Sequence, residues 1–380
     1  MSRKRLNVAV VGATGAVGTE MLRVLQEHRF PVKGLRLLAS SRSAGKRIPY
    51  NGSTHTVEPL SGRAFAGIDV ALFSAGAARS LEFAPEAVRR GAVVVDNSSA
   101  FRMHEAVPLV VPEVNPHALA RHDGLIANPN CSTIIMLVPL APLYRAAGIK
   151  RIVVSTYQSV SGAGAKAMWQ LLAETKEALK GFGVQGSGLG VEGKRRHNIS
   201  MERLLRPPRT PNPEPRILPA QIAFNVIPQV DVFLENRSTK EEMKMVNETR
   251  KILEAPNLPV SAMCVRVPVF VSHSEAVWVE TERPLSVADA RRLLRTSPGV
   301  RVVDEPAAGG YPMPLDAAGR DEVLVGRLRK DESVRHGLML WVSGDNLRKG
   351  AATNAVQIAE LLFSGKVAKW QSGHVGHSAT

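Results

Sequence analysis

The chain has 380 residues, 44% hydrophobic and 22% charged, which describes a soluble globular protein with core enough for two domains. Its 49 basic and 34 acidic residues leave a formal net charge of +15, which admits a polyanionic partner. Two cysteines, Cys131 and Cys264, exclude a dense disulfide framework. The short apolar run at 6–11 behind a basic start is neither a secretory signal nor a membrane span, so the expected location is the cytoplasm.

Leu6 to Val11 reads as a buried strand. The turn Gly12-Ala13-Thr14-Gly15-Ala16-Val17-Gly18 then opens an amphipathic helix running to about Glu27. Glycines at 12 and 15 let the backbone approach a pyrophosphate, Gly18 permits close packing of helix on sheet, and the helix N-terminus faces the phosphate charge. The spacing is a variant of the usual dinucleotide fingerprint, with an ordinary glycine turn as the alternative. The next strand, Gly34 to Ala39, ends in Ser40-Ser41-Arg42-Ser43, with no carboxylate for the ribose hydroxyls of an unphosphorylated dinucleotide. Ser40, Ser41 and Arg42 suit a 2′-phosphate and predict NADP, the alternative being a solvated turn.

Further strands are expected at 69–73, 93–96 and 125–127, with a helix at 78–90. This alternation predicts a Rossmann-like parallel sheet wrapped by helices. A helix from Cys131 through Arg145, a strand at 148–156 and a helix at 165–179 follow. Residues 181–216 are rich in glycine, then basic, then rich in proline, and read as a surface excursion. Its Lys194-Arg195-Arg196-His197 run is a solvated face or a contact for nucleic acid, and no aromatic platform accompanies it. Beyond it the pattern predicts a helix at 241–254, strands at 262–267 and 269–281, a helix at 285–294, strands at 323–329 and 337–342, and a terminal helix at 351–363. The expected division is an NADP-binding domain of 1–128 plus 350–366, an α/β domain with a mixed sheet over 129–349, and a polar tail at 367–380. No zinc-like cluster occurs. His117 and His122, like His374 and His377, lack companion ligands, so no metal is expected.

Asn128-Pro129-Asn130-Cys131-Ser132-Thr133 places a cysteine at the start of a helix, where free amides stabilise a thiolate and lower its pKa. A buried structural cysteine is the alternative. His273, after the strand-like Val269 to Ser272, is placed to exchange protons with a thiol, and Arg266 on the preceding strand to clamp a carboxylate through two parallel bonds. With the nucleotide turn, these groups point to covalent thiol chemistry coupled to hydride transfer.

The ordered segments Ser98-Ser99-Ala100-Phe101-Arg102, Asn130-Cys131-Ser132-Thr133, Gln158 to Gly164, Glu241-Glu242-Met243-Lys244, Arg266 to Val269, His273-Ser274-Glu275 and Asn354 to Gln357 resemble the aspartate-semialdehyde dehydrogenase family over about residues 5 to 364. The resemblance implies Cys131 as nucleophile, His273 as general acid and base, and Gln158 as the residue orienting the acyl intermediate. It implies Arg266 on the substrate α-carboxylate, Glu241 on its amino group, and Arg102 with Lys244 on phosphate. It also implies that Ser161, Gly162 and Gln357 join the glycine turn in holding NADP. The reaction implied is NADPH-dependent conversion of L-4-aspartyl phosphate to L-aspartate 4-semialdehyde and phosphate, on the route to lysine, diaminopimelate, threonine and methionine, by a homodimer joined through the second domain. Two alternatives stay open: an N-acetyl-gamma-glutamyl-phosphate reductase, and a non-catalytic nucleotide-fold protein binding RNA or another polyanion.

Overall fold

A computed structural model describes residues 5–181 and 217–364. The expected excursion, apart from its first residue, and the polar tail lie outside the described residues.

The first half alternates strand and helix as its pattern requires. In order come β1 (Leu6–Val11), α1 (Ala16–Glu27), β2 (Val32–Ala39), β3 (Arg47–Tyr50), β4 (Ser53–Pro59), β5 (Val70–Phe73), α2 (Ala77–Arg89), β6 (Val93–Asp96) and β7 (Leu125–Ala127). They form one seven-stranded sheet ordered β3-β4-β2-β1-β5-β6-β7. It is parallel throughout except for the antiparallel β3/β4 pair. Central β1 is apolar on both faces because both are covered. Val8 and Val10 pack with Met21, Leu25, Val356 and Ile358 on one side, while Ala9 and Val11 pack with Phe65, Phe73 and Ala84 on the other. The β3–β4 hairpin was not expected, since β4 is polar and mostly exposed. Its signal is Asn51-Gly52, both at positive φ (47° and 76°), the pair that a two-residue primed turn demands.

The second half contains α3 (Cys131–Ala147), β8 (Arg151–Gln158), α4 (Ala165–Gly181), α5 (Lys240–Ile252), β9 (Val260–Arg266), β10 (His273–Glu280), α6 (Val287–Thr296), β11 (Val300–Val302), a short α7 (Pro314–Ala317), β12 (Val323–Asp331) and β13 (Gly337–Gly344). A π-helical turn, Arg348–Ala352, leads into α8 (Thr353–Phe363). The sheet is mixed, in the order β11-β12-β13-β10-β8-β9. One face shares a core with α3, α5 and α6, where Val154, Cys264, Val277 and Val342 meet Leu137, Met245 and Leu294. On the other face Tyr157 and Met263 are exposed, and Trp278 and Trp341 are half-buried. The strand expected from 269 begins only at His273, because Ser272 has φ +75° and breaks the extended run.

Charge ties α8 back to α1. Arg348 donates to Glu20 (2.8 Å), Glu27 (2.6 Å) and Asp321 (3.0 Å), and His28 bridges Asp321 (3.1 Å) and Glu360 (3.2 Å). Bonds to Asp321, then Glu360, raise His28 from 6.5 to about 9. Protonated His28 therefore stabilises the fold fully below about pH 6.5, and that contribution is lost as pH rises through about 9. Thermal melts between pH 7 and 10 should show Tm falling more steeply in the parent than in His28→Ala. Parallel curves would remove this junction from the pH dependence.

Candidate active site

The register of the second sheet lines up the chemistry. Gln158 at the end of β8 is paired with Arg266 at the end of β9, and His273 opens β10 opposite Gly344. Residues two apart share a face of a strand, so Thr156, Cys264 and Glu275 form a second polar row directly behind, also in register.

Cys131 is the first residue of α3. The cap is Asn130, whose Oδ1 accepts from the amides of Ser132 (3.0 Å) and Thr133 (3.3 Å). Cys131 Sγ lies 3.3 Å from His273 Nε2. The Ser159 N–H donates to His273 Nδ1 (3.0 Å), so hydrogen bonding assigns the proton of the neutral ring to Nε2, facing the sulfur. Asn346 Oδ1 accepts from the Ser272 N–H (2.9 Å) and from Ser159 Oγ (3.1 Å), fixing the positive-φ residue that precedes His273. Burial, then the Arg266 charge, hold His273 well below 6.5, so the ring is neutral near pH 7.

The thiol differs from expectation. Burial and then Glu241 push Cys131 up to about 12, against the pull of Arg102, Arg266 and the Ser132 amide. The Asn130 carboxamide already occupies two of the helix amides, and a carboxylate stands close by. Cys131 is partly exposed and lines the cleft.

Around the thiol stand four charged groups. Glu241 Oε1 accepts from Asn130 Nδ2 (2.9 Å) and Gln158 Nε2 (3.2 Å), and Oε2 from Lys244 (3.1 Å). Burial raises the Glu241 pKa, but Lys244 and these bonds outweigh it, leaving the carboxyl below its ordinary value and ionised. The Glu241–Lys244 pair is one turn apart on α5, and Lys244 also reaches Asp231 (2.8 Å). Arg266 Nη1 donates to Ser159 O (2.7 Å). Arg102 donates to Asn128 O (2.9 Å), Asn97 O (2.9 Å) and Glu248 (3.1 Å).

Arg102, Cys131, Gln158, Glu241, Lys244 and Arg266 open onto one cleft of about 730 Å3, which Val17 of the glycine turn, Ser161 and Gly162 also line. His273 is fully buried behind Cys131. A Cβ on Gly162 would come within 2.9 Å of Arg266 Nη1 and 3.4 Å of His273 Nε2, so only glycine leaves that wall thin.

The glycine turn fits a dinucleotide. Gly12 and Ala13 donate to Leu38 O (2.7 and 3.2 Å), and a Cβ on Gly18 would strike the Gly12 carbonyl. No side chain caps α1 at Gly15 and no acidic residue occupies its first turn, which leaves amides for an anion. Thr14 Oγ1 meets Ser43 Oγ at 3.3 Å, drawing the exposed Ser40, Ser41 and Arg42 beside that turn. Gln357 is a correction. Its Oε1 accepts from Lys349 (2.7 Å) in a separate cavity beside Glu113, because α8 turns this face toward the Lys349–Glu113 ion pair. Asn346, unlike Gln357, does line the main cleft.

Sequence reasoning gave no role to Asn130, Asp231, Glu248 or Asn346. Glu248 was accessible through helical spacing, lying seven residues after Glu241 and four after Lys244. Asn346 and Asp231 come from loops whose placement no periodicity reveals. Among the described residues no group of side chains is suited to a metal ion, and no helix is long and apolar enough to cross a membrane.

A thiol–imidazole pair opening toward a dinucleotide turn places this protein among the dehydrogenases that work through a cysteine. Residues 7–122 match the semialdehyde dehydrogenase NAD-binding domain and residues 140–349 the semialdehyde dehydrogenase dimerisation domain. The chain belongs to the aspartate-semialdehyde dehydrogenase family. It is 52% identical to aspartate-semialdehyde dehydrogenase of Aquifex aeolicus over 93% of this chain and 97% of that protein. With the Bacillus subtilis enzyme it shares 48% identity over 94% and 97%. The crystal structure of aspartate semialdehyde dehydrogenase II from Vibrio cholerae superposes with a TM-score of 0.85 at 47% identity, covering 95% of this chain and 99% of that one.

Proposed function

We propose that this protein converts L-4-aspartyl phosphate to L-aspartate 4-semialdehyde and phosphate with NADPH, through a thioester on Cys131. The observation that carries this reading is the Sγ–Nε2 contact of 3.3 Å, set in a cleft whose fixed charges mirror those of such a substrate. Arg266 takes the α-carboxylate, Glu241 the α-ammonium, and Arg102 with Lys244 the phosphate.

Cys131 sulfur attacks the acyl carbon, the carbon–oxygen bond to phosphate breaks, and Gln158 orients the thioester carbonyl. NADPH, when bound, supplies the hydride that reduces this thioester. Collapse of the resulting alkoxide expels the sulfur as thiolate, and His273 Nε2–H receives that charge as a hydrogen-bond donor. The thiol proton leaves with phosphate as the sulfur attacks, and the expelled thiolate regains a proton from solvent, the one proton consumed overall. An N-acetylated glutamyl phosphate brings no ammonium for Glu241. Side-by-side assays test the choice, and preference for the acetylated substrate would overturn it. Salt-sensitive RNA binding without semialdehyde turnover would instead support the polyanion reading.

Ser40, Ser41 and Arg42 are assigned to the 2′-phosphate. Removing one charge-assisted contact costs about 1.5–3 kcal/mol, so Arg42→Ala should raise KM for NADPH at least about tenfold and leave that for NADH nearly unchanged. Equal effects on both would detach Arg42 from the 2′-phosphate.

We assign 1–128 plus 350–366 to the NADP domain, supported by the packing of α8 into the core beneath β1, and 129–349 to the catalytic domain. The open face of the second sheet, with Tyr157, Met263, Trp278 and Trp341, is the surface we assign to a homodimer. Met263→Glu should then shift the mass measured by light scattering from dimer to monomer, and an unchanged dimer would place the interface elsewhere. Both cysteines are free, which accords with a cytoplasmic setting.

A further inference from the structure

We propose that Glu248 is a positioning residue for the phosphate step: one buried carboxylate that fixes Arg102 and the thiol-bearing helix at a set separation. The proposal rests on the phosphate role assigned to Arg102 above and deepens it.

Glu248 lies on α5, one helical turn beyond Lys244, and is 1% exposed. Its two oxygens serve different elements. Oε1 accepts from Arg102 Nη1 at 3.1 Å, on the loop after β6, while Oε2 accepts from the Asn130 N–H at 2.6 Å, the residue that caps α3 and precedes Cys131. A single planar group thus spans the anion clamp and the nucleophile's helix.

The consequence for Arg102 follows from its donor inventory. A guanidinium carries five N–H donors in a rigid fork. Nε donates to Asn128 O, one Nη2 hydrogen to Asn97 O and one Nη1 hydrogen to Glu248, leaving one hydrogen on each terminal nitrogen. Arg102 lines the cleft, and two such hydrogens make the fork that takes two oxygens of one phosphate. Lys251, the next turn of α5, donates to the carbonyls of Arg102, His104 and Val107, each at 2.8 Å. The same helix therefore grips the Arg102 loop by its side chain and by its backbone.

A purely electrostatic role makes the opposite forecast. If Glu248 only offsets the Arg102 charge, Glu248→Gln should tighten phosphate binding and Glu248→Asp should change nothing. If Glu248 sets the spacing, Asp retains the charge but is one methylene too short to span both partners, and Gln presents a single acceptor for two donors.

The test follows oxidation of L-aspartate 4-semialdehyde by the full-length enzyme, with inorganic phosphate, semialdehyde and NADP varied in turn. KM for phosphate should rise about tenfold or more in both Glu248→Asp and Glu248→Gln, with KM for semialdehyde and NADP within about twofold of the parent. Unchanged phosphate KM in Glu248→Asp, a lowered one in Glu248→Gln, or an equal rise in all three constants would overturn the proposal. Should either variant fail to fold by circular dichroism, Lys251→Gln, which loosens the Arg102 loop and leaves Glu248 intact, decides instead. Its phosphate KM should rise selectively, and no change refutes the spacing role. A parent with no phosphate-dependent turnover would sink the functional reading itself, whereas a normal parent with silent variants sinks only Glu248.

Discussion

Cys131→Ala should abolish phosphate-dependent oxidation of L-aspartate 4-semialdehyde, lowering the rate by about 10,000-fold or more as read from NADPH absorbance. The loss should appear in kcat rather than KM, because Arg266, Glu241, Arg102 and Lys244 make their contacts without the sulfur. Without a thiol no thioester can form, and the phosphate has no acyl carbon to attack. Residual turnover within tenfold of the parent would rule out the covalent route. The environment of the sulfur adds a second expectation. Burial and the Glu241 charge push the free thiol up to about 12, so at neutral pH it is protonated. Alkylation of the unliganded parent by iodoacetamide, compared with Cys131→Ala, should therefore accelerate about tenfold per pH unit between 7 and 10. A plateau reached below pH 8 would show that the helix amides prevail over Glu241 after all.

The thiol shows where sequence reading stops. That Cys131 begins a helix was legible from the short strand and Asn-Cys-Ser-Thr before an apolar run, because caps and periodicity are local. Its acidity was not, because Glu241 follows 110 residues later and approaches only through the packing of α5 against α3. The core strands β1, β6 and β7 were legible to the residue, being short apolar runs bounded by turn residues. The β3–β4 hairpin was hidden by its polarity, although Asn51-Gly52 marked its turn. His273 was visible as a residue but not as the first of a strand, since the positive φ at Ser272 is held by Asn346 from a distant loop. Gln357 was misplaced because its role came from the resemblance alone, and the buried pair Lys349–Glu113 decides where that face of α8 points. The +15 charge also changes meaning. Arg348, Lys349, Arg102 and Arg266 are buried basic groups that serve carboxylates or the cleft, so part of the basic surplus is interior and unavailable to a polyanion.

Replacing His273 separates two mechanisms that the same contact permits. A histidine that removes the thiol proton must receive it at Nε2, yet the Ser159 N–H fills Nδ1 and leaves Nε2 already protonated. Burial and Arg266 also hold the ring well below 6.5, so a cationic ring is disfavoured across neutral pH. The ring is thus a fixed donor to sulfur and to the charge that develops there. Positioned donors of this kind contribute about 100- to 1,000-fold, so His273→Ala should lose that much kcat. Glutamine offers an N–H toward the sulfur and an oxygen toward the Ser159 amide, but cannot titrate. His273→Gln should therefore recover at least about tenfold over His273→Ala, and kcat/KM of the parent should show no acid limb near pH 6.5 that either variant removes. If His273→Gln is as slow as His273→Ala, and the parent's limb near 6.5 vanishes in both, the ring works as a titrating base and the donor assignment is wrong.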